Sequence, residues 1–141
     1  MAIVYQSENI KLPDIKKKET SRWIEKVASL YNKSIGDVNY IFCDDDKIIE
    51  VNRKFLDHDF YTDIITFDYS EDNIISGDIF ISLDTVLSNS QKYNTEYKEE
   101  LMRVIIHGIL HLCDIDDRTD TEELEMRKAE ENALKILKDN G

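Results

Sequence analysis

The apolar residues of this chain change spacing from segment to segment, and the spacing divides it into strands and helices. Ala2–Gln6 alternates as a short strand. From about Pro13 to Tyr31, Ile15, Trp23, Val27 and Leu30 belong to the apolar side of a helix whose solvated face carries Lys16, Lys17, Lys18 and Arg22. Asp37–Cys43 has strand character, and the acidic run Asp44, Asp45, Asp46 caps a helix through Phe55. Two β-rich runs follow, Asp63–Tyr69 and Ile74–Ser82, joined by a hairpin-type turn over Ser70–Asn73. Asp84–Tyr93 reads as a helix, Thr95–Cys113 as a buried helix, and Thr119–Lys138 as the last. Leu124, Ala129, Ala133, Leu134 and Leu137 give that last helix its apolar side. The order predicts an α+β fold: one domain over residues 1–141, with a mixed β-sheet of about four strands covered by helices.

The buried helix is where the pattern is broken by chemistry. Val104 to Cys113 is apolar except for Gly108, His107 and His111. Residues i and i+4 share a helix face, so the two imidazoles point the same way, into the interior. Burying two unpartnered imidazoles costs roughly 2 kcal/mol or more each. A divalent metal removes that cost, and the HxxxH spacing lets two nitrogens reach one ion. A pair of core histidines bonded to backbone carbonyls is the plainer alternative.

A third ligand is available where the helix ends. Asp114, Ile115, Asp116, Asp117, Arg118, Thr119 and Asp120 are too polar to continue a buried helix, and Thr119 with Glu122 forms a capping box that starts the next one. Asp114, Asp116, Asp117 and Asp120 are all within reach of the histidines, and spacing does not choose among them. His58 is a further candidate from far upstream. Three protein ligands leave an open position for water, which makes a metal catalytic. Cys43 and Cys113 are too far apart for a zinc-finger pair, and Cys113 points away from the histidines into packing. In HExxH metalloproteases the residue after the first histidine is a glutamate base. Here it is Gly108, so that protease reading fails.

Three motifs in order resemble the YbeY family, metal-dependent single-strand-specific endoribonucleases of ribosomal RNA maturation. His107-Gly108-x-Leu110-His111-Leu112 and its acidic turn match HGxLHLxGYDH. Val51-Asn52 through Phe67 resembles LNxxYRxxDxPTDVLSF, and Gly77-Asp78-Ile79 the family's GDI strand. The family's three histidines are zinc ligands, so the resemblance implies a site of His107, His111 and Asp117, with a metal-activated water as nucleophile. Zinc is the implied ion, with manganese or another divalent ion also suited to a site containing carboxylate oxygen. The family's arginine falls on Leu56, and its Gly-Tyr on Asp114-Ile115. Arg53, one turn back on roughly the same face, is either a catalytic substitute or a solvated helix charge. The resemblance further implies single-stranded ribosomal RNA as substrate, the small ribosomal subunit as partner and maturation of the 3′ end of 16S ribosomal RNA as the role. Phe60 and Tyr61 are candidates for stacking on unpaired bases, or for packing.

Charge bears on this picture more than composition does. The net charge of −12 is unlike a typical nucleic-acid binder. A metal and a few local cations must then hold the scissile phosphate. A hydrolase of another substrate class, and a ribosome-assembly module with a structural metal and no turnover, stay open beside the nuclease. The opening Met1–Tyr5 is too short for a signal peptide, no segment suits a membrane span, and the two cysteines fit a reducing cytoplasm.

Overall fold

The computed structural model describes residues 2–57 and 62–140. Its strands are β1 (Ala2–Glu8), β2 (Ser34–Cys43), β3 (Ile64–Asp68) and β4 (Ile74–Ser82). Its helices are α1 (Lys17–Leu30), α2 (Asp45–Leu56), α3 (Leu83–Lys92), α4 (Tyr97–Leu112) and α5 (Asp120–Asn140). The strands make one sheet in the order β1-β2-β4-β3, parallel except where β3 meets β4 as a hairpin. The chain is thus α+β with a four-stranded mixed sheet, as its pattern predicts.

Alternation along the central strands assigns each helix to a face. Val38, Tyr40 and Phe42 of β2, with Ile75, Ile79 and Ile81 of β4, enter the main core with residues of α1, α3, α4 and α5. Cys43 and Ile65 turn the other way and meet Ile48 and Val51 of α2. The sheet is therefore a middle layer, with α2 behind it and four helices in front. Two buried polar tips find backbone partners across the front layer. Tyr40 Oη donates to the Ile105 carbonyl at 2.8 Å, fastening α4 to β2, and Trp23 Nε1 donates to the Ala133 carbonyl at 2.7 Å, fastening α1 to α5.

Local signals end the helices largely where expected. The Asp44 side chain accepts from the Lys47 amide at 2.9 Å and caps α2. Thr119 and Glu122 form the capping box reciprocally, at 3.0 and 3.1 Å, ahead of α5. The 70–73 turn closes with Asp72 in the left-handed region, at φ 54°.

Tertiary packing overrules the pattern in four places. Helix α1 begins at Lys17 rather than Pro13, because the chain first drops Ile15 into the core. Strand β2 begins at Ser34 rather than Asp37, because Ser34 and Ile35 pair with Ile74 and Ile75 across a register shift. Gly36 sits in that shift, where a Cβ would lie 2.4 Å from Ser76 Oγ. Leu30 and Leu124 lie on the solvent side, 52% and 58% exposed, while Met126 takes the buried place on α5.

Helix α4 lies against the sheet at Gly108. A Cβ there would stand 3.0 and 3.1 Å from atoms of Ile79 and 3.2 Å from Ile64 Cδ1. The missing side chain therefore sets how closely the histidine helix approaches β4 and β3. It also answers the protease comparison, because position 108 faces the sheet.

Candidate metal centre

Arg103, His107 and His111 recur every four residues on α4, so they form one stripe. That stripe does not enter the core. The two imidazoles keep 18% and 26% of their surface and line a cleft of about 760 Å³ between α4, α5 and the β3 edge. The expectation of imidazoles aimed into the interior is corrected here. The side of α4 bearing Leu101, Ile105, Gly108 and Leu112 is the buried one, and the histidines sit beside it. The rings pack edge to face, with centroids 4.6 Å apart.

The turn after α4 chooses the carboxylate. Asp114 adopts a left-handed φ of 72°, its amide donates to the His111 carbonyl, and the Ile115 amide donates to the Leu110 carbonyl, both at 3.0 Å. This pair of bonds is the Schellman closure that usually has glycine at the position of Asp114. Asp114 is thereby turned outward to Lys33, 3.4 Å away, while Ile115 packs against the core and the chain folds back. Asp117 Oδ2 then lies 3.4 Å from His107 Nε2 and 3.5 Å from His111 Nε2. Of the four candidate aspartates, only Asp117 joins the histidines in a group of metal-ligand geometry among the described residues.

The donor set fits a first-row divalent ion. Tetrahedral coordination at 2.0–2.1 Å places neighbouring donor atoms about 3.3 Å apart. The two nitrogen–oxygen separations match that edge, and all three donor atoms lie within 4.8 Å of one another. Two imidazole nitrogens and one carboxylate oxygen also suit zinc better than magnesium or calcium.

Glu130 of α5, on the far wall, completes the surroundings. Its Oε2 lies 2.6 Å from His107 Nδ1, and its Oε1 accepts from Arg103 Nη1 at 3.1 Å. Burial would raise the Glu130 carboxyl, but the hydrogen bonds and charges of His107 and Arg103 outweigh it and hold the carboxyl below its ordinary range. Burial likewise pulls His107 down, and the Glu130 bond with the charges of Glu130, Asp117 and Asp63 more than reverses it. His111 is lowered, by burial and then by His107. In the metal-free protein the shared proton therefore stays on His107.

A metal held by His107 would take Nε2, the nitrogen that carries the second proton of the imidazolium, so its affinity would depend on pH. The raised His107 value carries the competition above the ordinary imidazole range. The affinity of a divalent ion held there, zinc being the probe, should climb about tenfold per pH unit up to the His107 pKa and level off beyond it. Competition titrations across that range check this, and a flat profile through neutrality would contradict it.

The pattern did not disclose Glu130, Arg103 or Asp63. One signal was present: Glu130 lies four residues after Met126 and three before Ala133, a carboxylate on the buried stripe of α5. Asp63 lines the same cleft, and burial, partly offset by His107, raises its carboxyl. Arg53 is exposed on α2 and Leu56 is 40% exposed at that helix's end; neither lines the cleft. His58, Phe60 and Tyr61 lie outside the described residues. Cys113 is buried, as expected, and burial pushes its thiol up to about 11.

An α+β domain that presents two imidazoles from a helix and a carboxylate from the turn after it to an open cleft has the donor set of a metal-site hydrolase. The family model described as Endoribonuclease YbeY matches residues 3–138. Proteins named Endoribonuclease YbeY from Bacteroides fragilis and Phocaeicola vulgatus are 61% and 59% identical to this chain. Those alignments cover 98% of this chain and 99% of the former, and 96% of this chain and 98% of the latter. The solution structure of TM1509 from Thermotoga maritima matches with a TM-score of 0.67 at 25% identity, over 99% of this chain and 93% of that one. The chain belongs to the YbeY family of endoribonucleases.

Proposed function

We propose that this protein is a zinc-dependent, single-strand-specific endoribonuclease that hydrolyses ribosomal RNA in 16S 3′-end maturation, with His107, His111 and Asp117 as the metal ligands. The observation that carries this reading is the convergence of those three donors at ligand spacing, on the wall of an open cleft, in a chain of this family. When bound, a divalent ion supplies Lewis-acid polarisation of a phosphoryl oxygen and acidifies water. Glu130 stands behind His107, 2.6 Å from its Nδ1. Asp63, whose carboxyl burial raises, lines the same cleft.

Arginine gathers at the cleft, although Asp63, Asp68, Glu100, Asp116, Asp117 and Glu130 line it too. Of the five arginines, Arg22, Arg53, Arg103, Arg118 and Arg127, the last three line the cleft, and among its described lining residues there is no lysine. Arginine is the better phosphate ligand because its planar fork bonds two oxygens at once. Arg103 is engaged by Glu130, which leaves Arg118 and Arg127, both exposed, to meet the RNA backbone. Replacing both by alanine should weaken RNA binding and flatten the salt dependence of log affinity by up to about 1.4, or about 0.7 per phosphate contact. Fluorescence-anisotropy titrations at several salt concentrations check this, and an unchanged slope rejects those contacts.

The decisive experiment incubates the purified, metal-loaded protein with single-stranded and duplex RNA carrying the 16S 3′ end. The expected result is cleavage of the single strand only, abolished by chelation and restored by zinc. Metal content measured on protein purified without added metal identifies the ion, zinc or manganese. Bound metal with no cleavage would point to an assembly module, a reading that the displaced family arginine favours. Turnover of an ester or amide with RNA untouched would assign another hydrolase class.

A further inference from the structure

Glu130 is only 7% exposed, and its two oxygens go to different partners on one helix. Arg103 Nη1 donates to Oε1 at 3.1 Å, and His107 Nδ1 meets Oε2 at 2.6 Å. Because Arg103 and His107 are four residues apart on α4, a single carboxylate from α5 spans one turn of that helix. A buried carboxylate is costly unless it is paired, so this geometry is held firmly. The far nitrogen of the same ring, Nε2, faces Asp117 at 3.4 Å.

We infer that Glu130, clamped by Arg103, is the positioning residue of the metal centre: it accepts the Nδ1 proton of His107, commits that ring to the Nδ1–H tautomer and so delivers the Nε2 lone pair beside Asp117. This rests on the reading of His107, His111 and Asp117 as ligands. A neutral imidazole carries its proton on one nitrogen or the other, and only the ring with Nδ1 protonated can give Nε2 to a metal. Arg103 has a distinct part. It has donors only, so it holds Oε1 and keeps the other oxygen on the histidine.

This division of roles makes an unusual prediction for Glu130→Gln. The glutamine has the same size but one acceptor oxygen. Arg103 can only donate, so it claims that oxygen, and the amide NH2 is turned onto His107 Nδ1. The ring must then accept there and move its proton to Nε2, where it blocks the metal. Zinc affinity should fall 10- to 100-fold. In metal-free protein, at a pH where both rings are neutral, the His107 nitrogen signals should change from the Nδ1–H to the Nε2–H pattern. Adding Arg103→Leu to Glu130→Gln frees the amide to turn its oxygen to His107. The double variant should regain the Nδ1–H pattern and part of the zinc affinity, a rescue that loss of packing alone would not give.

The experiment is therefore nitrogen-15 NMR of the histidine rings together with zinc titration, on the parent and both variants, with thermal melts confirming the fold. An Nε2–H ring at His107 in the parent overturns the inference whether or not the variants fold. A folded Glu130→Gln protein with the parent's tautomer and an affinity within about twofold overturns it as well. A parent that binds no zinc overturns the ligand reading, and this role with it. Zinc bound equally by parent and Glu130→Gln removes the role and leaves the ligands standing.

Discussion

His107→Ala should lose the metal and all metal-dependent cleavage, and the metal-free variant should also be less stable than the parent. The two losses have separate causes. One of the three proposed ligand atoms disappears, so zinc affinity should drop by more than about 100-fold, the upper end for removing an outer partner alone. Stability falls because Glu130 keeps its buried charge but loses a 2.6 Å hydrogen bond to an imidazole. A charge-assisted bond of that kind is worth about 1.5–3 kcal/mol, here with Arg103 left to hold the carboxylate. His111→Ala supplies the control. It removes a ligand in the same way but leaves the Glu130 bond in place, so metal should be lost with a smaller fall in the melting temperature of the chelated protein. Calorimetric zinc titration and melts in chelator separate the two effects. One equivalent of zinc bound by His107→Ala with unchanged affinity would sink the ligand assignment.

Gly108→Glu should come close to unfolding the protein, although it writes the HExxH protease motif into the sequence. The new side chain would start 3.0 Å from Ile79 and 3.2 Å from Ile64, under a helix that is buried on that side. Overpacking of that kind costs about 1–3 kcal/mol, and an unpaired carboxyl in an apolar contact costs a few more. Several kcal/mol is a large share of a typical domain's stability of about 5–15 kcal/mol. Gly108→Ala adds only the Cβ, and its gain in helix propensity of about 1 kcal/mol works against the close contact. The alanine variant should therefore fall far less than the glutamate one. A glutamate variant melting with the parent would show that position 108 does not face the sheet.

Much of this architecture is local and was legible residue by residue. The capping box of Thr119 and Glu122, the cap at Asp44 and the alternation in β2 and β4 depend on neighbours within a few positions, and each formed as written. The two imidazoles at i and i+4 belong to the same category, since helix geometry alone puts them on one face. The ends of α1 and β2 were not legible, because they depend on Ile15 reaching the core and on Ile35 finding Ile75. Helical periodicity says which residues share a side but not what that side meets. So Leu30 and Leu124 are solvated, and the histidines open onto a cleft instead of the interior.

The site divides along the same line. The sequence by itself determined the donor types, their helix, the absence of a glutamate base at Gly108 and the short list of aspartates. Only the tertiary structure decided which aspartate meets the histidines, because the choice depends on the left-handed turn at Asp114 that folds Asp117 back to within 3.5 Å of both rings. It alone decided, too, that Glu130 and Arg103 stand behind His107 and that three arginines share the cleft. The reason is distance along the chain: Glu130 follows His107 by 23 residues, and a contact at that separation exists only once α4 and α5 have packed.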